Sequence, residues 1–344
     1  MTSLARSADT GTYLVAFVGA LVAALVATPV ARRVAVRFHI LDHPSERKAH
    51  VEAVPYLGGL GIILSFLAAT AAGAVIYGLQ AGYAKLGVIL GGALLLAGLG
   101  LRDDLRPIPG WVKASVILPL AVALYAVGVR ADPFDQWVLN FVLTVGWVAG
   151  IVNAVNFLDN MDGITAGVSS IAAGYMAVLA GLHGQVVVGS LSAAVAGCAL
   201  GFLWYNRPPA RIFMGDMGSL FLGWLLAAIA LELEFENLRR VAFFVPVAIL
   251  AVPIFDTVLI SASRISRGHS PLRPGLDHTS HRLLKLRIPR NAIVALHYAV
   301  ALTSGWLGVT IAYATPRTAY FIMGALVAVG LFLATELLRV KVED

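Results

Sequence analysis

Long apolar stretches, separated by short polar loops, run along almost the whole chain. Eleven of these stretches approach the roughly 20 residues that a helix needs to cross a bilayer. The pattern predicts an all-α polytopic membrane protein with about 11 transmembrane helices, and so little sequence is left over that residues 1–344 should form a single integral-membrane domain. The predicted spans are residues 12–30, 57–79, 85–101, 112–129, 136–152, 164–182, 186–204, 218–233, 241–262, 292–313 and 319–338.

The composition supports a membrane location. Hydrophobic residues make up 59% of the chain, charged residues only 13%, and the mean hydropathy is +0.84, which excludes an ordinary soluble domain. The first apolar run is too long for the core of a cleaved signal peptide, so we interpret it as a retained span. The single cysteine, Cys198, lies inside a predicted span, and one cysteine cannot form an intrachain disulfide.

The basic residues predict the orientation of the spans. If the N-terminus is outside, 19 of the 25 Lys and Arg residues fall in five inner loops and the C-terminal tail. Cytoplasmic loops of membrane proteins carry an excess of Lys and Arg, so this split predicts an outer N-terminus and a cytoplasmic C-terminus. The positive inner face follows from that rule, and it also suits an anionic lipid or a nucleotide.

Acids and amides are concentrated in the third inner loop, at residues 153–163. Asp159 and Asp162 are three residues apart, so on a helical turn both carboxylates point the same way and repel each other. A divalent cation, or basic groups that bind a phosphate-rich ligand, would relieve this repulsion. A plain polar loop with solvated acids explains the stretch equally well when it is considered alone.

The first two inner loops carry candidate groups that are weak indicators by themselves. Lys48 and His50 in the first loop could contact phosphate oxygens, although the topology explains basic residues there about as well. The second loop holds the adjacent Asp103 and Asp104, which are costly at the end of a span unless they are solvated or paired. Lys113 follows at the depth of a lipid phosphate, or it simply extends its ammonium group to the interface.

The fourth inner loop places Asp216 between two glycines, which would leave its backbone open to a ligand just before a predicted span. The free amides at the start of that helix would favour an anion. Phe213 is an aromatic residue in this polar loop, and it would either pack against its neighbours or provide a stacking surface for a base.

Two further features lie late in the chain. Asp256 is predicted within the ninth span, where an ionisable group indicates either function or a buried ion pair with Arg or Lys. The fifth inner loop contains His278, His281 and Arg282, which could bind phosphates or a metal ion. A zinc site is disfavoured, because the surrounding motifs are Asp and Asn and no cysteine is at hand.

Apart from Asp256, all of these clusters fall on one predicted face of the membrane. That placement suits a water-soluble anionic substrate that meets a lipid-borne one, and it gives no role to nucleic acid. The rival class is a proton-coupled transporter or lipid flippase, which Asp256 and the glycine-bearing spans would fit. No paired inverted halves are visible, however, and an intramembrane metalloprotease would need a His-Glu-x-x-His motif that the sequence lacks.

Together these motifs resemble those of the polyprenyl-phosphate N-acetylhexosamine-1-phosphate transferases, glycosyltransferase family 4, over nearly the whole chain. Each motif alone is modest, but their joint order and spacing are specific. They are Arg47-Lys48-x-His50 with Pro55 and Gly58-Gly59; Asp103-Asp104 with Lys113; Asn153-x-x-Asn156-x-x-Asp159-x-x-Asp162-Gly163; Asn206 with Pro209-Ala210 and Phe213-Met-Gly-Asp216-x-Gly-Ser219; Pro253-x-x-Asp256; and the late histidine loop.

Two positions depart from the family pattern. Asn160 stands where the family usually has Gly, and Ser280 stands where it usually has a third His. These departures favour the branch that transfers GlcNAc-1-phosphate over the phospho-MurNAc-pentapeptide translocases that make lipid I. They leave the identity of the sugar open.

The resemblance implies the first membrane step of a bacterial cell-wall or surface glycopolymer pathway. Undecaprenyl or decaprenyl phosphate would attack the sugar-proximal phosphate of a UDP-sugar and release UMP at the cytoplasmic side of the inner membrane. It also implies Mg²⁺ or Mn²⁺, and a homodimer as a family-level expectation. By this resemblance, Asp216 and Asp104 are implied as metal ligands, and Asp103 would orient or deprotonate the lipid phosphate. Asp159 and Asp162, which are implied catalytic acids together with Asp103 and Asp104, would form the nucleoside and pyrophosphate site with Asn156 and Asn206, and Phe213 would lie against the uracil. The implied phosphate contacts are Lys48, Lys113, His278, His281 and Arg282, and the further implied substrate contacts are Asn153, His50 and Asp256.

Overall fold

The computed structural model describes residues 2–42, 53–77, 82–235, 240–270 and 275–340. Almost all of this part of the chain is helical. Two strands of two residues each, β1 (Leu41–Asp42) and β2 (Val54–Pro55), pair antiparallel. The helices are α1 (Thr2–Arg37), α2 (Gly58–Tyr77), α3 (Tyr83–Leu105), α4 (Gly110–Ala126), α5 (Trp137–Leu158), α6 (Ile164–Leu182), α7 (Val186–Asn206), α8 (Gly215–Leu231), α9 (Phe244–Ile249), α10 (Ala251–Ser266), α11 (Thr279–Lys285), α12 (Arg290–Ala312) and α13 (Pro316–Leu338).

The helices confirm an all-α polytopic membrane protein. Among the described residues, eight helices are long and apolar enough to cross a membrane, namely α1, α2, α3, α5, α6, α7, α12 and α13. Two further apolar helices, α4 and α8, are shorter, with 17 residues each. Ten of the eleven stretches predicted from hydropathy therefore correspond to one helix each.

The ninth predicted span, residues 241–262, is wrong as a continuous helix. It is divided into α9 and α10, and the break falls at Leu250. Pro253 accounts for the break, because it has no amide to bond the Ile249 carbonyl four residues earlier. Asp256 consequently lies one turn into the second piece and is only 2% exposed.

Helix α8 lies at the centre of the bundle and is buried along almost its whole length. The indole of Trp224 on α8 donates a hydrogen bond to the Ile89 carbonyl on α3 at 2.8 Å. The indole of Trp147 on α5 donates to the Ala227 carbonyl on α8 at 3.2 Å. These contacts fix α8 against both neighbours and place its first residue, Gly215, in the middle of one end of the bundle.

Contacts between loops define two ends of the bundle. At one, which we call the Asp216 end, α3, α5 and α7 finish and α4, α6 and α8 begin. At the opposite end, Lys85 pairs with Glu232 at 2.9 Å and Arg240 approaches Asp135 at 3.9 Å. The described polar motifs of the second to fifth inner loops meet at the Asp216 end, as the alternation of spans predicts.

Candidate active site

Four charged residues, which we call the acid–lysine cluster, gather where α3 ends and where α4 and α8 begin. They are Asp103, Asp104, Lys113 and Asp216. The Lys113 ammonium lies 2.7 Å from an Asp103 carboxylate oxygen and is also ion-paired with Asp216. All three side chains in these two pairs are about one-fifth exposed or less. Lys113 therefore neutralises two carboxylates that come from distant parts of the sequence, rather than extending to the membrane interface.

Asp104 anchors the start of α8. Its carboxylate accepts hydrogen bonds from the backbone amides of Asp216 at 2.7 Å and Met217 at 3.1 Å. Amides in the first turn of a helix lack partners within the helix and favour an anion, so this contact is stabilising. Asp104 thus holds Asp216 in position.

Gly215 permits this close approach. Its φ is +69°, and a Cβ atom there would lie 2.5 Å from an Asp104 carboxylate oxygen. The sequence-based interpretation that the glycines beside Asp216 leave the backbone open to a ligand is therefore wrong. The Asp104 carboxylate already fills the space on the Gly215 side.

Residues 159–163, which we call the acidic loop, are tied to the segment after α7. An Asp162 carboxylate oxygen accepts the Ala210 amide at 3.0 Å. The Asn206 side chain accepts the Gly163 amide at 2.9 Å and donates to the Ile212 carbonyl at 3.0 Å. Asn206 is 3% exposed. Its assignment to substrate binding does not fit this geometry, because both ends of its amide bond the main chain and shape the loop.

The other two asparagines of the third motif have different surroundings. Asn156, in the last turn of α5 just before the acidic loop, donates to the Ser219 hydroxyl on α8 at 2.9 Å and so links α5 to the helix that carries Asp216. Asn153 donates to the Ala149 carbonyl of its own helix at 2.7 Å. Ser219 was present in the fourth motif of the sequence, but its role as the partner of Asn156 was not predicted.

Burial, together with the nearby negative charges of Asp216 and Asp162, raises the pKa of Asp159 to about 7. The acidic loop and the acid–lysine cluster therefore lie within electrostatic reach of each other. Excess negative charge is concentrated where the sequence predicted the catalytic acids to converge, which suits a cationic ligand or a metal-bound phosphate.

Phe213 lies in a backbone connection between the fourth loop and α2. Its amide donates to the Pro55 carbonyl at 2.9 Å, and its carbonyl accepts the Gly58 amide at 2.8 Å. The ring meets the Tyr56 ring edge to face, with centroids 6.2 Å apart. The side chain is half-buried, so it has one packed face and retains some exposure at this end of the bundle.

Asp256 orients the start of the late histidine loop. One of its carboxylate oxygens bonds His278 Nδ1 at 2.8 Å, and the other accepts the Thr279 amide at 2.7 Å. The expected buried pair with Arg or Lys is thus replaced by a histidine partner. A carboxylate on Nδ1 fixes the orientation of the imidazole ring and favours a proton on that nitrogen.

His281 lies beside His278, with ring centroids 5.7 Å apart. Burial, with a smaller contribution from the neighbouring His278, lowers the pKa of His281 to about 4, so the ring is neutral at pH 7. Within the described part of the chain, no group hydrogen-bonds its buried Nδ1. His281 therefore keeps the capacity to bond a ligand that its neighbours do not use.

Arg282 has a structural position. Its guanidinium donates to the carbonyls of Asp277, Leu337 and Val340 at 2.8–3.0 Å and to the Ser263 hydroxyl at 2.6 Å. The residue is 2% exposed. The prediction that Arg282 holds a substrate phosphate therefore does not fit, because its donors are already used to join the loop to α10 and α13.

The ion pairs of Asp277, at the start of this loop, were not predicted from the sequence. Asp277 accepts two hydrogen bonds from Arg264, at 2.8 and 3.1 Å, and a third from Arg267 at 3.1 Å. A usable signal was the spacing of Arg264 and Arg267, which are three residues apart at the end of α10 and so point the same way. Lys48 and His50, the candidates of the first loop, lie outside the described residues.

Metal binding rests on few side chains. Within residues 2–42, 53–77, 82–235, 240–270 and 275–340, no three His, Cys, Asp or Glu side chains form a group that could hold a metal ion. Asp216 and Asp103 nevertheless place carboxylate oxygens around one ammonium, and carboxylate oxygens are the ligands that Mg²⁺ prefers.

Comparisons with known proteins match this chain over most of its length. The family model described as glycosyl transferase family 4 matches residues 86–234. A probable undecaprenyl-phosphate N-acetylglucosaminyl 1-phosphate transferase of Bacillus subtilis is 32% identical, over 91% of this chain and 89% of that relative. A decaprenyl-phosphate N-acetylglucosaminephosphotransferase of Mycolicibacterium smegmatis is 32% identical, over 83% and 77%. A phospho-N-acetylmuramoyl-pentapeptide-transferase of Lactiplantibacillus plantarum is 44% identical, but over only 35% and 36%.

Proposed function

The chain belongs to glycosyl transferase family 4, and we propose that it transfers GlcNAc-1-phosphate from UDP-GlcNAc to a polyprenyl phosphate. The observation that carries the proposal is the acid–lysine cluster beside the acidic loop at one end of a membrane bundle. The names of the relatives that match over most of the chain support GlcNAc, because the Lactiplantibacillus plantarum muramoyl-pentapeptide transferase matches only about a third of it.

In the proposed reaction, an oxygen of the lipid phosphate attacks the sugar-proximal phosphorus of the UDP-sugar. A P–O–P bond forms to the lipid. The bond from that phosphorus to the oxygen that bridges to the uridine-linked phosphate breaks, so UMP leaves with the bridging oxygen. The second pKa of a phosphate monoester is about 6, so the attacking oxygen already carries charge at pH 7. The protein must therefore supply chiefly positioning and neutralisation of negative charge.

The residues divide this work between them. Lys113 supplies a fixed positive charge where the lipid phosphate and the pyrophosphate would meet, and Asp103 orients its ammonium. Asp104 holds the start of α8, and with it Asp216, through two backbone amides. Neutral His281 offers ring nitrogens to a phosphate without adding charge of its own.

We propose Mg²⁺ or Mn²⁺ as the cofactor, held by Asp216 first and by Asp103 second. The donor set fits, since Mg²⁺ is usually bound by only one or two protein carboxylates, with waters and substrate phosphates as the other ligands. Asp104, the second ligand implied by the sequence, is better suited to positioning Asp216 because both of its oxygens accept amides. When bound, the metal ion supplies positive charge against the transferred phosphate.

We also propose that the Asp216 end faces the cytoplasm of a bacterial cell. The excess of Lys and Arg in the loops predicted at that end supports this orientation. UDP-sugars are soluble anions made in the cytoplasm, so a site at that end would meet the sugar donor from the water and the lipid phosphate from the bilayer.

The test is UMP release by the detergent-purified protein, given undecaprenyl phosphate, Mg²⁺ and one UDP-sugar at a time. We expect release with UDP-GlcNAc that depends on both the lipid and the metal ion. UMP release with UDP-MurNAc-pentapeptide and with no other UDP-sugar would instead assign the chain to the phospho-MurNAc-pentapeptide translocases. Folded protein that binds and turns over none of the UDP-sugars would contradict the proposed reaction and favour a carrier.

A further inference from the structure

A side-chain hydrogen bond joins two loops that lie 120 residues apart in sequence. The Ser280 hydroxyl donates a hydrogen bond to the side-chain carbonyl oxygen of Asn160. The Asn160 amide nitrogen donates to the Phe157 carbonyl at 2.9 Å, which fixes the orientation of the amide and turns its oxygen towards Ser280. Ser280 is 1% exposed, so water does not compete effectively for this bond.

The hydrogen bond joins two segments that carry candidate site residues. Asn160 lies in the acidic loop, immediately after Asp159. Ser280 lies in residues 277–285, which we call the histidine segment, between His278 and His281. The bond therefore fixes the distance between the acids of one loop and the imidazoles of the other.

These are also the two positions at which the chain departs from the pattern of the family it resembles. One departure adds a side chain where glycine is usual, and the other places a small hydroxyl where a histidine is usual. The two side chains contact each other, so both departures contribute to a single hydrogen bond. A side chain at position 160 supplies the acceptor that the hydroxyl at position 280 uses.

We infer that Asn160 and Ser280 are a positioning pair, which holds the histidine segment against the acidic loop before the sugar donor binds. This inference rests on the proposed function, because it concerns the same site. Ordering a loop during binding reduces affinity, so a bond that orders it beforehand improves binding of the donor. The pair therefore acts on donor affinity, while the chemistry of phosphate transfer depends on the acid–lysine cluster.

A double-mutant cycle tests the pair through the kinetics of UMP release. We expect Asn160→Ala and Ser280→Ala each to raise the KM for UDP-GlcNAc about threefold to tenfold, with kcat changed less than about twofold. The double variant should be no worse than the poorer single variant, because both substitutions remove the same bond. Ser280→Thr keeps the hydroxyl and should restore most of the affinity.

Ser304→Ala is the matched control. Ser304 is also buried, and its hydroxyl bonds the Ala301 carbonyl of its own helix rather than another loop. Removal of this hydroxyl should leave the KM unchanged. Additive effects of the two alanine substitutions, or equal losses in kcat, would overturn the positioning role.

Hydrogen–deuterium exchange provides a readout that does not depend on turnover. In the protein without substrate, Asn160→Ala should speed exchange in the histidine segment, and Ser280→Ala should speed it in the acidic loop. If neither substitution changes exchange in the opposite loop, the inference is wrong even where the wild type is active. If the wild type releases no UMP but the reciprocal exchange is seen, the proposed function fails and the pairing stands.

Discussion

The acid–lysine cluster and the histidine segment are both built from charged groups at the Asp216 end, but they balance their charges differently. In the cluster, a single ammonium faces two carboxylates, and a third carboxylate lies behind them on backbone amides. In the histidine segment, Asp277 faces two guanidinium groups, and Arg282 is bonded entirely to carbonyls and a hydroxyl.

This difference in charge balance distinguishes side chains that can still bind a ligand from side chains that stabilise the fold. Side chains whose polar atoms are all bonded within the protein have little to offer a substrate, and breaking such bonds is costly. A partly exposed cluster with excess negative charge gains from a cation that arrives with the substrate. We therefore expect substitutions in the cluster to reduce activity, and substitutions of the fully bonded Asp277 and Arg282 to reduce stability.

The largest effect is expected from Asp216→Ala. Loss of the proposed first metal ligand should reduce UMP release at least about 10³-fold, because a bound metal ion contributes several kcal/mol to phosphate transfer. The fold should persist, since Lys113 keeps its contact with Asp103. A variant with near-normal turnover at ordinary Mg²⁺ concentrations would remove Asp216 from the metal role.

Lys113→Met should reduce kcat about 10²-fold by removing one fixed positive charge near the phosphates while keeping the length of the side chain. Lys85→Met is the matched control, because Lys85 also pairs with a carboxylate but lies at the opposite end of the bundle. An equal loss of kcat in the two variants would show that either lysine ion pair supports the fold, and it would contradict a special role of Lys113 at the active site.

Arg282→Gln should act mainly on stability. The substitution leaves buried carbonyls without donors, so we expect the free energy of unfolding to fall by about 2–3 kcal/mol. The activity of the molecules that remain folded should change less than about threefold. The exposed Lys285 on the same helix provides the control, since Lys285→Gln should reduce the free energy of unfolding by less than Arg282→Gln does. If folded Arg282→Gln protein no longer bound the UDP-sugar, Arg282 would be a substrate contact after all.

The smallest effect concerns Asp159. Because burial raises its pKa from the ordinary 3.8 to about 7, the folded protein holds a proton there that the unfolded chain releases between those pH values. Stability should therefore fall as the pH rises through this window, and Asp159→Asn, which cannot titrate, should lack that part of the fall. Between pH 5 and 8 we expect the Tm of the wild type to drop by about 1–3 °C more than that of the variant. If Tm changed with pH in the same way in the wild type and in Asp159→Asn, the Asp159 carboxyl would be hydrated and its pKa would not be raised by burial.

Hydropathy was enough to locate the spans, because the requirement for apolar side chains in lipid acts on every residue of a crossing helix. Even so, it could not foresee that Pro253 divides the ninth stretch, since both halves remain apolar. Alternation of the spans was likewise enough to bring the acids of three inner loops to one end of the bundle.

The sequence could not identify the partner of each charged group. Arg282 and Lys113 look alike in a list of basic loop residues, yet one bonds carbonyls and the other faces two carboxylates. That distinction depends on contacts between residues 13 to more than 100 positions apart, such as Arg264 with Asp277 and Lys113 with Asp216. The same limit explains why Asn206 was taken for a ligand contact when it shapes the acidic loop.

The bonds from Arg282 to Leu337, in the last turn of α13, and to Val340, just beyond it, have a consequence for biogenesis. The two acceptors follow Arg282 by 55 and 58 residues, so the histidine segment leaves the ribosome before the carbonyls that secure it. Spans inserted earlier can already have brought Asp103, Lys113 and Asp216 together. The membrane would therefore hold an immature form of the enzyme, with its acids assembled and its histidines unsecured, until α13 has been inserted.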